Sequence, residues 1–226
     1  MPITHLSFDL DDTLWPCAPV IRAAEAKAYD FLNTHWHGDV PLETADALLA
    51  SRKQFFATNT QWHHDLTTMR REWVRQTLGH GLSAPLQAQY MELILEYRNF
   101  VIPYDDVIPV LDELKHRYTL VSITNGNADV FKTPLAPYFE RAYNSIGAGV
   151  AKPHPAIFKQ VLDNEGIDSD NLIHIGDDQH TDVHGAFTAN IQPIWINRTE
   201  QPWRADTAQP HTAKDLKELM TLLETL

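Results

Sequence analysis

The chain has 226 residues, 43% of them hydrophobic and 21% charged, which is globular composition and excludes a disordered chain. With 14 prolines against 9 glycines it is neither collagen-like nor a flexible linker, and no apolar run approaches the roughly 18–20 residues of a membrane span. Lys and Arg number 18 against 30 Asp and Glu, a formal charge of −12 without a basic run, so no nucleic-acid partner is expected.

The opening MPITHLSFDLDDTLW has no basic region followed by an apolar stretch, and the single cysteine, Cys17, cannot form an internal disulfide. A cytoplasmic location is the expectation. Ile3, Leu6, Phe8 and Leu10 then mark a short buried strand ending in aspartates. From about Pro16 to Phe100 the segments PVIRAAEAKAYDFL, ETADALLASRKQFF, LTTMRREWVRQTL and PLQAQYMELILEYRNF carry apolar residues at helical spacing. With no strand between them, they predict a helical bundle inserted as a cap over residues 16–102.

After Pro103 helices and strands alternate. VIPVLDELKHR reads as a helix, YTLVSITN as a strand, DVFKTPLAPYF as helical or irregular, and RAYNSIG as a short strand. PAIFKQVLDNEG is a helix, NLIHIGDD a strand, TDVHGAFTAN a helix, QPIWIN a strand, and KDLKELMTLLETL an amphipathic segment. This rhythm predicts an α/β core with a parallel sheet, formed by residues 1–15 and 103–226.

Ligands of such sheets bind outside the C-terminal strand ends, here Asp9–Thr13, Thr124–Asn127, Gly147–Lys152 and Gly176–Asp182. Asp9 and Asp11 start on one face of an extended strand, where two carboxylates favour a divalent cation or a shared proton, although an acidic turn has the same composition. A carboxylate there can also act as a nucleophile. Thr124-Asn125-Gly126-Asn127 offers a hydroxyl and backbone N–H groups to an oxyanion. Lys152, before a helix that begins near Pro155, is placed either to neutralise phosphate charge or as a solvated loop charge. Asp177 and Asp178 end a strand, and Asp182 in the next helical turn either adds a metal-binding carboxylate or complements the helix dipole.

Four motifs in order, FDLDDTL, the ITNGN threonine, the AKP lysine and GDD followed by Asp182, resemble the haloacid dehalogenase superfamily of hydrolases along the whole chain. The resemblance implies a Rossmann-like parallel sheet core with an inserted helical-bundle cap. It implies Asp9 as nucleophile and Mg2+ ligand, Asp11 as general acid and base whose carbonyl also binds the metal, and Thr13 as the residue that orients Asp11. Thr124 and the Asn125 N–H would hold the phosphoryl oxygens, Lys152 would neutralise charge, and Asp177 would bind Mg2+ with Asp178 or Asp182 in support. A second aspartate at Asp11 marks the phosphatase branch, because displacing a halide needs no proton donor. Thr13 points the same way, since the mutase branch often has a bulky aliphatic residue there.

The stretches SITNGN and IGDDQHTDVHGA, with the cap segment from Trp62 to Arg70, are similar to YigB-type bacterial phosphatases. That similarity implies a small-molecule phosphate ester as substrate, either flavin mononucleotide or the phosphorylated ribitylamino-uracil precursor of riboflavin. Trp15 next to the first motif, with His64 and Arg70 in the cap, are the candidate substrate contacts. Trp36, Trp62 and Trp73 read as bundle core. Among the 12 histidines, neither His35-x-His37 nor His63-His64 has the i, i+4 spacing with a supporting acid of a zinc-hydrolase helix, and oxygen ligands suit Mg2+ better. The alternative to an enzyme is a non-catalytic, receiver-like module that senses phosphate. It shares the acidic pocket, hydroxyl and lysine, but a long-lived acyl phosphate has no use for a base at Asp11.

Overall fold

His5–Phe8 (β1), Thr119–Thr124 (β2), Arg141–Asn144 (β3), Leu172–Gly176 (β4), Gln192–Ile196 (β5) and His211–Ala213 (β6) pair in parallel into one six-stranded sheet. Its order is β3-β2-β1-β4-β5-β6. The computed structural model describes residues 2–204 and 208–226. These form two units, Met1–Pro16 with Val101–Leu226, and Cys17–Phe100. Strands β2 and β4 are buried along almost their whole length, as a parallel sheet covered on both faces requires. Strand β6 was not apparent in the sequence, because His-Thr-Ala is too short and polar to carry a strand pattern.

From β1 the chain steps outward through β2 to β3, then returns to the other side of β1 for β4, β5 and β6. The order therefore reverses between β1 and β4. In an open α/β sheet this reversal splays the loops at the C-terminal strand ends and leaves a crevice there.

The helical unit holds α1 (Cys17–His35), α2 (Ala45–Thr58), α3 (Leu66–Trp73) and α4 (Ala84–Tyr97). Val20, Ala24, Ala28 and Leu32 recur every four residues and form the buried stripe of α1. The two alanines let the backbone of α1 come close to α4, whose Tyr90, Met91 and Ile94 join the same core. The helix expected over LTTMRREWVRQTL widens after Trp73 into a π-helical segment, Val74–Leu78, which still buries Val74 and Leu78.

Helices α5 (Val107–Leu114), α6 (Ser145–Ala148), α7 (Pro155–Glu165), α8 (Gly185–Thr188) and α9 (Leu216–Leu223) belong to the α/β unit. Helix α7 starts on a proline, is capped by His154, and stops at Gly166 with φ +67°, a backbone conformation that glycine adopts without strain. Among the described residues, no helix is long and apolar enough to cross a membrane.

The packing of α4 is open to test. Ile94→Ala empties a fully buried position and is expected to cost about 2–5 kcal/mol, read as a lowered urea midpoint. An unchanged midpoint would show that this position is not part of the packed core.

Candidate active site

The first loop after β1 places Asp9 at the crevice, its backbone N–H donating to the Ile175 carbonyl at 2.8 Å. Asp12 turns the chain with φ +62°, and its N–H donates to the Trp15 carbonyl at 2.7 Å. The turn also carries Thr13, whose hydroxyl donates to Asp177 Oδ1 at 3.0 Å. Asp177 follows β4, and its carbonyl accepts from the Trp195 indole at 2.7 Å.

Lys152 joins these loops. Its buried Nζ donates to Asp9 Oδ1, Asp182 Oδ1 and the Ile123 carbonyl, each at 2.6 Å. All three of its protons thus have acceptors. Asn125 fixes the Lys152 backbone from both sides, accepting its N–H at 2.7 Å and donating to its carbonyl at 2.9 Å. Thr124 is buried beside it at the end of β2, and its hydroxyl accepts from the Gly126 N–H at 2.9 Å.

Asp182 fits under the end of β4 because residue 176 is a glycine: a Cβ there would lie 2.2 Å from the Asp182 carboxyl carbon. Asp182 Oδ2 accepts from the Asp178 N–H at 3.0 Å, and Oδ1 lies 3.2 Å from His174 Nε2. The His174 ring is fully buried, with Nδ1 2.9 Å from Ser7 Oγ.

These surroundings divide the acids. Burial would raise the Asp182 carboxyl, but Lys152 and His174 hold it below the usual carboxylate range. Burial, and after it Asp182, push Asp177 up to about 7. Asp9 is also raised, by burial first and then by Asp182 and Asp177, against the pull of Lys152. Burial opposes the Lys152 ammonium, yet Asp182 and Asp9 keep its pKa above the ordinary lysine value.

Among the described residues, Asp9, Asp177 and Asp182 have carboxylate oxygens within 4.8 Å of one another. Hard oxygen donors of this kind fit a divalent cation such as Mg2+. Burial and the neighbouring acids raise Asp9 and Asp177, a repulsion that a bound cation would offset, whereas both oxygens of Asp182 already have donors.

Several expected residues are placed differently. The Asp178 carboxylate caps its own helical turn, with Oδ1 accepting from His180 N at 2.9 Å and from Thr181 N at 2.6 Å, so it stands outside the acidic group. The Asp11 side chain is also outside that group; its Oδ1 accepts from the Trp15 indole at 2.9 Å. Trp15, expected to offer its ring to substrate, is fully buried, and its visible role is to hold Asp11.

In the helical unit, Arg70 Nη2 donates to Glu25 Oε1 at 2.6 Å, and the same oxygen pairs with Arg52. Expected as a substrate contact, Arg70 is thus part of an ion-pair triad that ties α1, α2 and α3. His64 is half-buried in the turn before α3.

Sequence reasoning passed over Ser7, His174, Trp195 and Arg198. The signal for the first two was a polar residue inside an apolar strand. Arg198 donates twice to the Thr13 carbonyl at 3.1 Å, pairs bidentately with Asp106 at 2.9 and 3.0 Å, and lies 3.9 Å from the centre of the Tyr104 ring. It secures the loop that carries Asp11 and Thr13.

Residues 3–190 match the family model of the haloacid dehalogenase-like hydrolases. A curated relative, the 5-amino-6-(5-phospho-D-ribitylamino)uracil phosphatase YigB of Escherichia coli, is 28% identical, the alignment covering 96% of this chain and 91% of the relative. A glyceraldehyde 3-phosphate phosphatase of Pyrococcus abyssi is 26% identical, with 99% and 94% covered. Among solved structures, a 2-haloacid dehalogenase from Pseudomonas syringae superposes with a TM-score of 0.87 at 33% identity, covering 99% of both chains.

The shared lysine gives a stability test. Lys152→Met strands two buried carboxylates and is expected to cost about 3–5 kcal/mol at pH 8. The stabilisation that Lys152 gives Asp182 is present above the ordinary carboxylate pKa and is lost as the pH falls through its depressed value. That loss lies below pH 5, so the parent is unaffected there; in the variant the two buried carboxylates lack their cation, burial raises both, and as they take up protons the gap between variant and parent should narrow toward pH 5 in urea unfolding. An equal gap at both pH values would contradict the ion-pair account.

Proposed function

The chain belongs to the haloacid dehalogenase-like hydrolase family, and from that membership we propose that it is a Mg2+-dependent phosphatase acting on small phosphomonoesters through an aspartyl-phosphate at Asp9. The observation that carries the reading is the Lys152 ammonium 2.6 Å from Asp9, with a second carboxylate, Asp11, anchored two residues along the same loop. The buried Asp9 carboxylate thereby has a cation beside it, and a phosphoryl group approaching it meets positive charge instead of three unneutralised acids.

In the first step an Asp9 oxygen attacks phosphorus as the bond to the leaving oxygen breaks, and Asp11 donates the proton that oxygen needs. In the second, Asp11 takes a proton from water, which attacks the phosphorus of the acyl phosphate, releasing phosphate and restoring Asp9. The Thr124 hydroxyl and Asn125 N–H hold the phosphoryl oxygens, and Lys152 offsets their charge. Asp9 and Asp177, with Asp182 behind them and the Asp11 carbonyl as a further donor, are the residues to hold Mg2+. When bound, Mg2+ supplies charge neutralisation for the phosphoryl oxygens. The α/β unit carries the chemistry, and the helical unit, as cap, selects the leaving group.

The names of the relatives support the reading: the YigB and Pyrococcus proteins are phosphatases of small phosphorylated molecules. The YigB alignment covers 96% of this chain, which puts the phosphorylated ribitylamino-uracil first in the substrate panel, with flavin mononucleotide, the other substrate the sequence resemblance implies, beside it. Haloacid dehalogenation, the name of the superposed Pseudomonas protein, is disfavoured because a departing halide has no use for the proton Asp11 supplies. The acidic, disulfide-free chain suits a cytoplasmic setting.

The test is phosphate release from a panel of flavin, sugar, nucleotide and aryl phosphates, with a 2-haloacid control. Asp9→Asn should abolish release, and Asp11→Asn should slow it about 10²–10⁴-fold. Halide release without phosphate release would replace the phosphatase reading. A pH dependence follows from Asp177, protonated below about 7 in the metal-free site. At limiting Mg2+, turnover should rise between pH 6 and 8, and saturating Mg2+ should move the rise to lower pH. A profile indifferent to Mg2+ concentration would exclude this competition between proton and cation.

A further inference from the structure

Ser7 and His174 are direct neighbours in the parallel pairing of β1 with β4, and both are fully buried in strands that are otherwise apolar. A polar pair so placed is costly unless each group has a partner. The partners form a chain from Ser7 Oγ through His174 Nδ1 (2.9 Å) and Nε2 to Asp182 Oδ1 (3.2 Å), and from that oxygen to Lys152 Nζ (2.6 Å). The order Ser, His, Asp suggests a hydrolytic triad, but Ser7 is sealed inside the sheet, with no exposure through which a substrate could reach it. The chain instead leads outward to the lysine beside Asp9.

We propose that His174 is a positioning residue: held by Ser7, it donates from Nε2 to Asp182 and so fixes the carboxylate that aims Lys152 Nζ at Asp9. The proposal rests on the phosphatase reading for its effect on rate, though not for the hydrogen-bond chain itself.

Three observations lead there. The Asp182 carboxylate receives Lys152 Nζ and the Asp178 N–H, so it acts as an acceptor, and the His174 nitrogen facing it must bear the hydrogen. A neutral imidazole then has Nδ1 as acceptor, which the Ser7 hydroxyl satisfies at a closer distance than its other neighbour, the Ile173 carbonyl at 3.4 Å. The ring itself cannot swing away, because Phe158 of α7 packs edge-on against it at 5.0 Å between centroids. Phe158 in turn lies against Gly185, where a Cβ would come within 2.9 Å of the Phe158 ring.

Lys152 donates to two carboxylates and a carbonyl at once, so the placement of each acceptor helps set where Nζ sits. Without the His174 donor, Asp182 Oδ1 would keep the lysine as its one remaining donor and could rotate about its side chain, taking Nζ off its line to Asp9. The Thr124 and Asn125 donors that hold the phosphoryl oxygens would stay in place, so the loss would fall on the chemical step, for which Lys152 must face Asp9.

The experiment joins a spectrum to kinetics. In wild-type protein with ¹⁵N-labelled histidine, long-range ¹H–¹⁵N correlation at pH 7 should show His174 as the Nε2–H tautomer, its signals identified by their loss in His174→Gln. Glutamine can place its amide N–H where Nε2 stood. On an aryl phosphate, His174→Gln should keep kcat within about threefold of wild type. His174→Phe should lose about 10–100-fold in kcat, with KM within about twofold, the scale on which such outer partners act.

A folded His174→Phe protein with wild-type kcat would overturn the proposal, as would a loss carried by KM, equal losses in both variants, or an Nδ1–H tautomer. If His174→Phe does not fold, the tautomer and the glutamine rescue decide. Absence of any phosphate release from the wild type would sink the phosphatase reading instead, and the tautomer would still report on the chain.

Discussion

The buried ammonium of Lys152 is the constraint on which the site depends. Taking an ammonium and two carboxylates out of water costs several kcal/mol for each ion, and only close pairing returns it. Here the pairing has no slack: three acceptors at 2.6 Å use all three protons. The acceptors come from the loop after β1, the end of β2 and the turn after β4, so the geometry exists only while those three strands keep their register. The requirements of charge and of fold are the same here. A shift of any one strand would leave ions buried without partners.

Sheet order explains why these loops meet. With β2 and β4 on either side of β1, residues far apart in sequence stand at adjacent strand ends. The backbone is then fixed by side chains. Asn125 reads Lys152 through both its N–H and its carbonyl, and Arg198 holds the Thr13 carbonyl while its charge is met by Asp106. Asp106 also accepts the Leu216 N–H at the start of α9 at 2.7 Å. The loop after β1, which carries proposed catalytic groups, is in this way tied to α9 on the other side of Asp106.

Much of this was legible in the sequence. The alternation of strand and helix, the helical insert, and the acids and lysine at strand ends follow from periodicity and from where parallel sheets bind ligands. The parts that were not legible depend on where side chains turn in space. Asp178, the last residue of GDD, and Asp182, four residues on, both stand as candidates to support the metal in the sequence. Yet Asp178 stands where it can cap the turn, while the Val183 N–H bonds back to the Asp178 carbonyl five residues earlier, widening the helix and bringing Asp182 under Gly176. Trp15 misled for a similar reason: adjacency to the motif predicts proximity to the site, but an indole that size at a tight turn is better buried, with its N–H spent on Asp11. His174 was hidden because a polar residue within an apolar strand discloses its partner only once the neighbouring strand is known.

The separation of Asp177 from Asp182 carries the argument furthest. Two acids near each other cannot both ionise freely in a buried site, and the surroundings decide which gives way. Lys152 and His174 keep Asp182 in its charged form, and that fixed charge is among the forces that push Asp177 up to about 7. Asp182 is thus committed to the lysine, while Asp177, held by a single Thr13 hydroxyl on Oδ1, is left short of positive charge beside Asp9. In the proposed reaction the two acids have distinct tasks for this reason. One secures the lysine against Asp9, and the other gives a cation cause to bind where the phosphoryl group must sit.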